Sequence, residues 1–214
     1  MTSPSAPHST RRRASRTTRT RILEAARSEL GRSPDSSLAD IAEAAGVARR
    51  TVYGHFSGRS ALVEGLAAEA GEAIRLAVAV TRGRNPDPPS ALAGFVLTMW
   101  PVGDRYRVLI GLAHQDLARD RIRRLLAPAR DSVAAILAEG QRQGVFHTSV
   151  PPGPLSRAVE AHLLALLESV NCGIWADDGT SAATAALIAT GVDSSAAAAT
   201  VHRLHGTGPT RSPL

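Results

Sequence analysis

The chain has 214 residues, of which 43% are hydrophobic and only 3% aromatic, and its formal net charge is +6. This length suffices for one large domain or two small ones with a sizeable core, and the scarcity of strand-forming aromatic rings argues against a β-sandwich or barrel. The single cysteine, Cys172, excludes an internal disulfide and a cysteine zinc site, and it fits a reducing cytoplasm. Because no stretch approaches about 18 consecutive apolar residues, no membrane span is expected.

The positive charge is concentrated near the N-terminus. All 25 basic residues are arginine, and six of them lie within residues 1–21, which contain no acid. The rest of the chain is balanced, because 19 acids face the remaining arginines. Residues 1–17 are rich in serine, threonine and proline and are predicted to form a disordered, arginine-rich arm. The charge of this arm indicates a polyanion as its partner.

The next segment, residues 18–81, predicts short helices followed by a longer one. A first helix is expected to begin near Thr18, because apolar residues at positions 22, 23, 26 and 30 form a stripe at helical spacing. The serines before residue 38 can cap a second helix that runs to about residue 44, and Gly46 breaks it. A third helix is expected from about residue 48 to 55, and a longer helix follows the turn at Ser57 and Gly58.

The stretch from residue 38 to 57 satisfies the constraints of a helix-turn-helix motif. Such a unit needs small residues where its helices cross, a residue able to adopt a left-handed conformation in the turn, and apolar residues on the inner faces. The matching positions are Ile41, Ala42, Gly46, Val47 and Val52. The alternative is a generic helical hairpin in an all-α protein, against which the arginine-rich arm argues.

The run IAEAAGVARRTVYGHFSGRSALVEGL, residues 41–66, resembles the DNA-binding domain of TetR-type (TetR/AcrR) transcriptional regulators. The positions that carry the family pattern are Ile41-Ala42, Ala45-Gly46-Val47, Tyr53-Gly54-His55-Phe56, Arg59 and Leu62. Residues 21–26 resemble the opening of the family's first helix, so the similarity covers about residues 19–66. The stretch SELGRSPDSSLADI departs from the family pattern, because it is shorter and lacks the usual aromatic ring.

The resemblance implies an all-α protein with an N-terminal three-helix helix-turn-helix DNA-binding domain and a C-terminal helical domain for ligand binding and dimerisation. The loop at residues 82–89 then separates the DNA-binding domain, residues 18–81, from the second domain, residues 90–206. Residues 207–214 are expected to be a disordered tail. The implied function is that of a cytoplasmic, homodimeric repressor that binds a palindromic DNA operator and is released by a small-molecule effector.

Residues that face away from the inner side of the motif are the candidate DNA contacts. Arg49 and Arg50 lie early on the recognition helix, where one guanidinium can donate two hydrogen bonds to guanine while the other meets phosphate. Ser37, at the start of the preceding helix, is a phosphate contact, a simple cap or both. The arginines between residues 11 and 21 follow the DNA backbone, enter the minor groove or form a solvated tail. The candidates are Ser37, Arg49, Arg50, Thr51, Tyr53, His55 and Arg59, with Arg19 and Arg21 nearer the N-terminus.

The second domain is predicted to consist of long helices. They are expected at about 89–99, 102–113, 118–142, 153–175 and 180–205. Pro128 is expected to kink or split its helix. The 153–175 helix has a leucine-rich face, and the 180–205 helix is almost entirely alanine, threonine, serine and glycine, which permits close approach between helices. The resemblance implies that these two helices pair across the two-fold axis of a homodimer.

The effector pocket is predicted from large or polar residues on otherwise apolar helices. Aromatic walls with a few polar groups are typical of small-molecule sites, although a residue of this kind is more often part of an ordinary core. The candidates are Trp100, Tyr106, His114, Phe146, His162 and Trp175. No catalytic residue, cofactor or metal site is predicted, because the sequence has no glycine-rich phosphate loop, nucleophile elbow or compact histidine spacing. The alternative function is an all-α enzyme or small-molecule carrier with an incidental helix-turn-helix.

Overall fold

The computed structural model describes residues 7–85 and 87–206, without the side chains of residues 7–12 and 113–116. All regular structure in these ranges is α-helical, which confirms the predicted all-α fold. The helices in chain order are α1 (Pro7–Arg32), α2 (Leu38–Ala44), α3 (Arg49–His55), α4 (Arg59–Thr81), α5 (Pro88–Arg105), α6 (Val108–Asp116), α7 (Arg119–Arg142), α8 (Pro152–Asn171), α9 (Thr180–Ala189) and α10 (Ser194–Gly206). None of these described helices is long and apolar enough to cross a membrane.

Helices α1, α2, α3, α6 and the first half of α4 enclose one hydrophobic core. Ile22 and Leu23 on α1, Ile41 on α2, and Leu62 and Leu66 on α4 are at most 1% exposed within it. The apolar stripe predicted for the first helix therefore faces this core. Complete burial of each such side chain stabilises the folded chain by about 1.5–3 kcal/mol.

A second core lies among α5, α7, α8, α9, α10 and the second half of α4. Leu92 on α5, Leu137 on α7 and Leu187 on α9 are completely buried there. Ala182 and Ala183 of α9 are also 0% exposed, and α9 packs mainly on α5 and α10. Small residues that were predicted for close helix packing between two copies thus make contacts within the chain here.

Helix α4 belongs to both cores. Its Leu62 and Leu66 lie in the first core, whereas Ile74 and Val78 lie in the second. The boundary between the cores therefore crosses α4, and it does not coincide with the loop after residue 81 that the sequence indicates as a linker. The reason is that the apolar stripe of α4 continues along the whole helix, so both neighbours can bury it. A single helix thus joins the two halves of the molecule without a flexible connection.

The N-terminal segment differs from its prediction. Helix α1 begins at Pro7, so residues 7–17 are helical where the sequence predicts a disordered arm and a helix start near Thr18. Proline is well suited to the first turn of a helix, and arginine and alanine are strong helix formers. The remainder of the predicted arm, residues 1–6, and the predicted tail, residues 207–214, lie outside the described residues.

Two prolines lie inside helices without ending them. Helix α5 continues through Pro101 to Arg105, so the predicted break between residues 99 and 102 is wrong, and α7 runs unbroken through Pro128. A proline removes one backbone hydrogen bond and crowds the preceding turn. Here the packing of α5 and α7 in the second core holds both helices together on either side of the proline.

The predicted helix at 180–205 is divided into α9 and α10. Gly191 has φ 98°, a left-handed conformation that favours glycine and ends α9. The Asp193 carboxylate then accepts a hydrogen bond from the backbone N–H of Ser195 at 2.9 Å, which caps α10. Both signals, Gly191 and Asp193, are present in the sequence. The alanine-rich composition of this region nevertheless favoured the prediction of one continuous helix.

The N-terminus of α2 is closed by a capping box. The Ser37 hydroxyl accepts hydrogen bonds from the backbone N–H groups of Ala39 at 3.2 Å and Asp40 at 3.3 Å. In return, the Asp40 carboxylate accepts from the backbone N–H of Ser37 at 2.8 Å. The hydrogen bonds from Ser37 hold the pKa of Asp40 below its ordinary value. The cap therefore fixes the start of the helix that leads into the helix-turn-helix.

Replacing Ser37 by alanine is expected to lower the free energy of unfolding by about 1 kcal/mol, because two backbone N–H groups lose their acceptor. Thermal unfolding would measure this loss, with the exposed Ser60→Ala in α4 as control. Since the pKa of Asp40 is lowered in the folded chain, the contribution of the box is present at neutral pH and is lost as the pH falls below 3.8. Equal unfolding temperatures for Ser37→Ala and Ser60→Ala would contradict the capping role.

Candidate DNA interface and ligand cavity

The predicted helix-turn-helix is formed by α2 and α3. Gly46, in the turn, has φ 60°, which glycine adopts without steric cost. The backbone N–H of Val47 donates to the carbonyl oxygen of Ala42 at 3.0 Å and closes the turn. Val52 is 0% and Phe56 2% exposed, so they fix α3 against the first core. These contacts set the angle between α2 and α3 and leave one face of α3 free.

The free face of α3 carries the side chains predicted to contact DNA. Arg49 and Arg50 are exposed at its first turn, and Tyr53 is 59% exposed one turn later. Thr51 and His55 are half-buried beside them. The structure therefore brings these five predicted residues onto one short helix, whose exposed side is rich in hydrogen-bond donors. Such a face suits the acceptor-rich edge of guanine and the phosphate backbone.

Arg59, the predicted phosphate donor, has internal partners. Its Nη2 donates to the carbonyl oxygen of Pro34 at 2.6 Å and its Nη1 to that of Ser36 at 3.3 Å. These bonds tie the first turn of α4 to the loop that precedes α2. Arg59 thus positions the N-terminus of α2, including Ser37, a role that residue type and spacing alone did not indicate.

The remaining predicted DNA contacts lie on α1 and at the α2 cap. Arg19 is half-buried, and its guanidinium carbon lies 4.6 Å from the centroid of the Phe56 ring, a cation–π contact. Arg21 is exposed on α1. Ser37 is also exposed, but the Asp40 carboxylate lies 2.8 Å from its hydroxyl. A phosphate that approached Ser37 would therefore meet this negative charge as well.

A cavity of about 340 Å³ lies among α4, α5, α6, α7 and α8. Its wall is almost entirely apolar and includes the predicted Trp100 and Tyr106. The lining residues that carry polar side-chain groups include Tyr106, Ser156 and the ion-paired Arg130 and Glu160. Its volume and its balance of apolar and polar groups are typical of small-molecule sites.

Residues 22–66 match the family model described as bacterial regulatory proteins, tetR family. This segment is a TetR-family DNA-binding domain. The match spans the second part of α1, both helices of the motif and the first turns of α4. The predicted resemblance is thereby confirmed, and the chain is a DNA-binding transcription regulator of helix-turn-helix type. Comparison with curated proteins gives no match.

Several solved structures, among them TetR-family regulators, have the same fold over most of their length. The regulator PfmR from Thermus thermophilus is 20% identical, with a TM-score of 0.67 over 80% of this chain and 97% of that one. A γ-butyrolactone receptor described as ArpA-like is 15% identical, with a TM-score of 0.69 over 90% and 98%. RolR in complex with resorcinol is 21% identical, with a TM-score of 0.58 over 94% and 98%. Most of the chain therefore has the same overall fold as these proteins.

Three of the other predicted ligand residues lie apart from the cavity wall. Phe146 is 3% exposed and packs where a Cβ at Gly140 would stand, so it fills the second core. Trp175 meets Trp100 edge-on, with ring centroids 6.2 Å apart. His162 is half-buried on α8, outside the cavity lining, and the side chain of His114 lies outside the described residues. In the part of the chain that the structure describes, no group of three His, Cys, Asp or Glu residues is placed to hold a metal ion.

The TetR-family domain and the helices around the cavity are joined by shared apolar residues and by ion pairs. Leu109 and Leu117 belong to the core of the TetR-family domain and also line the cavity. Arg121 of α7 donates to Glu64 of α4 at 2.9 Å, and Arg105 of α5 pairs with Glu24 of α1 at 3.1 Å. The wall of the cavity and the packing around the TetR-family domain therefore share residues.

Proposed function

We propose that this protein is a cytoplasmic, homodimeric transcriptional repressor that binds a palindromic operator and is released from it by a small-molecule effector. The single observation that carries this proposal is the wall shared between the cavity and the core of the DNA-binding domain. Because Leu109 and Leu117 contribute to both, an occupant of the cavity can change the position of the recognition helix. No catalytic role is assigned to any residue.

The operator is contacted through α3. Arg49 and Arg50 project from its first turn, where side chains of a recognition helix reach base edges in the major groove. Tyr53 and His55, one turn later, are assigned to the DNA backbone. Arg21, on the exposed side of α1, adds positive charge near the phosphates and makes affinity dependent on salt concentration.

Dimerisation is proposed to use α8 and the helices that follow it. Ala158, Ala161 and Ala165 are exposed along α8, at spacings that place them on one face. Ala198 and Ala199 are exposed on α10. Small side chains of this kind let helices of two copies approach closely. A two-fold dimer would present two recognition helices to successive major grooves, which requires a palindromic operator.

Release is proposed to be a shift in population between two arrangements of the dimer. In one arrangement the recognition helices are spaced for the operator, and in the other they are not. An effector can lower DNA affinity by no more than the factor by which it binds the second arrangement more tightly than the first. The cavity touches α4 at Ala70 and Ile74, and α4 continues into the DNA-binding domain. Pressure on this segment of α4 would rotate or shift the domain as a unit, since the two halves share this helix.

Binding to the DNA upstream of the chain's own gene tests the proposal. Fluorescence anisotropy with the purified full chain is expected to give a Kd of about 10⁻⁸ M or lower at physiological salt, and footprinting should reveal two symmetric half-sites. If no upstream or intergenic fragment is bound even at low salt, an all-α enzyme or carrier with an incidental helix-turn-helix becomes the better explanation.

Replacing Ala161 by arginine is expected to prevent dimerisation. Near a two-fold axis the arginine of one copy would lie close to the same arginine of the other copy, and the two positive charges would repel each other. Light scattering during size-exclusion chromatography should then give the mass of one chain rather than two, and operator affinity should fall at least tenfold. Ala135→Arg, on an exposed position of α7, is the matched control and should remain dimeric. A stable dimer of Ala161→Arg would mean that this face of α8 is not part of the dimer interface.

A further inference from the structure

The cavity indicates the chemical class of its ligand through its shape and its apolar wall. Phe95 and Trp100 of α5, Leu163 and Leu167 of α8, and Ile74 of α4 face it. Its volume of about 340 Å³ lies at the lower end of the range that is usual for small-molecule sites. Because such a wall offers water few hydrogen bonds, a small apolar molecule would occupy it favourably.

The charge at the cavity wall is internally balanced. Among the described lining side chains, one cation and one anion are present, and they pair with each other. Nε of Arg130 donates to Glu160 at 3.1 Å and Nη2 donates at 3.0 Å, so the contact is bidentate. The Arg130 and Glu160 side chains are only 12% and 22% exposed. A ligand that carried a full charge would therefore meet an equal charge of its own sign and no free counter-charge.

The ion pair nevertheless has unused hydrogen-bonding capacity. A guanidinium has five N–H donors, and the bidentate contact with Glu160 uses two of them. Each carboxylate oxygen of Glu160 can accept a further hydrogen bond beyond the one from Arg130. A neutral hydroxyl group could donate to Glu160 and accept from Arg130 at the same time, without separating the two charges.

We propose that the cavity binds a neutral, mainly apolar molecule with a single hydroxyl group, which is recognised by the Arg130–Glu160 pair. The regulatory consequence of this binding rests on the proposed function, whereas the binding itself does not. A carboxylate that accepted from the unused N–H groups of Arg130 would lie beside the like charge of Glu160, and an ammonium that donated to Glu160 would lie beside Arg130. In either case the cavity would hold a net charge that is largely removed from water and has no counter-charge of its own.

A set of probes with one skeleton and different head groups tests this class. The full-length protein is mixed with 4-propylphenol, 4-propylbenzoate, 4-propylbenzylamine or propylbenzene at pH 7.5, where the phenol is neutral. The phenol should raise the Tm in a concentration-dependent way and bind at least tenfold more tightly than the other three probes. A benzoate or benzylamine that binds as tightly as the phenol would overturn the proposal, and so would equal binding of propylbenzene.

A matched pair of variants on α7 tests the location of the site. Ala129 lines the cavity, so Ala129→Leu should abolish the Tm shift with 4-propylphenol. Ala135, exposed on the same helix, provides the control Ala135→Leu, which should keep it. In the variant Trp175→Phe, the fluorescence emission of Trp100 should also change when the phenol is added. This measurement does not depend on whether Ala129→Leu folds. A full Tm shift in Ala129→Leu, or an unchanged Trp100 emission, would place the binding elsewhere and refute the proposal.

Operator release, measured with the same probes, separates this inference from the proposed function. If 4-propylphenol raises the Tm but leaves the protein on its operator, the ligand class is supported and the effector role fails. If 4-propylbenzoate releases the operator and the phenol neither binds nor releases it, the ligand class is refuted while the repressor mechanism stands.

Discussion

Replacing Arg50 by alanine is expected to weaken operator binding by about 1–3 kcal/mol, a loss of roughly five- to 150-fold, and to relax the preference at one base pair. Arg50 is exposed at the first turn of α3, while the opposite face of that helix is held by Val52 and Phe56. The side chain can therefore be removed without disturbing the core. Titration of the variant against a panel of base-substituted operators by fluorescence anisotropy measures both effects.

The neighbouring arginine makes the experiment specific. Arg49→Ala should lose affinity as well, and the pattern of loss over the operator panel decides which side chain reads a base. An equal loss of affinity on every operator would assign that arginine to phosphate. The slope of log affinity against log salt concentration should then also fall in magnitude by about one. Arg142→Ala, at the far end of α7, is the matched control for charge and should bind as tightly as the wild type.

The helix-turn-helix could be predicted from the sequence because its constraints are local. The turn needs a left-handed residue, and Gly46 with φ 60° supplies it. The inner positions Ile41 and Val52 are buried as expected. Each of these requirements acts over a few residues, so the spacing of residue types within one short window was enough to place the turn and its two helices.

The role of Arg59 could not be predicted in the same way. It depends on hydrogen bonds to Pro34 and Ser36, which are close only once α2 and α4 have packed around the first core. The cation–π contact between Arg19 and Phe56 is likewise a product of tertiary packing. A pattern of basic residues near a recognition helix indicates a positive surface, but it does not separate side chains that hold the domain together from side chains that reach DNA.

The cavity was predicted only in part for a related reason. Trp100 and Tyr106 line it, but Phe146 fills the core instead, since the position of an empty space depends on how five helices meet. The Arg130–Glu160 pair was missed, although one signal was available. On α8, Glu160 lies between residues 156 and 163 of the same face, both of which line the cavity. A charged residue within such an inward-facing stripe is unusual and points to a partner.

Replacing Phe56 by alanine is expected to destabilise the DNA-binding domain by about 3–5 kcal/mol, the usual cost of emptying a buried aromatic site. Phe56 is 2% exposed at the end of α3, Arg19 stacks on its ring, and a Cβ at Gly65 would lie 2.8 Å from it. Because a domain is stable by only about 5–15 kcal/mol in total, operator binding at growth temperature should be strongly reduced.

The two tryptophans allow the two cores to be followed separately in this variant. Trp100 and Trp175 both lie in the second core, so their fluorescence reports on that core while far-UV circular dichroism reports on all helices. In urea, Phe56→Ala should show an early loss of circular dichroism and a later fluorescence transition near that of the wild type. Phe56→Leu should be affected less, and Tyr53→Ala, at an exposed position of the same helix, hardly at all. Coincident transitions shifted by the same amount would instead mean that α4 makes the two cores unfold as one unit.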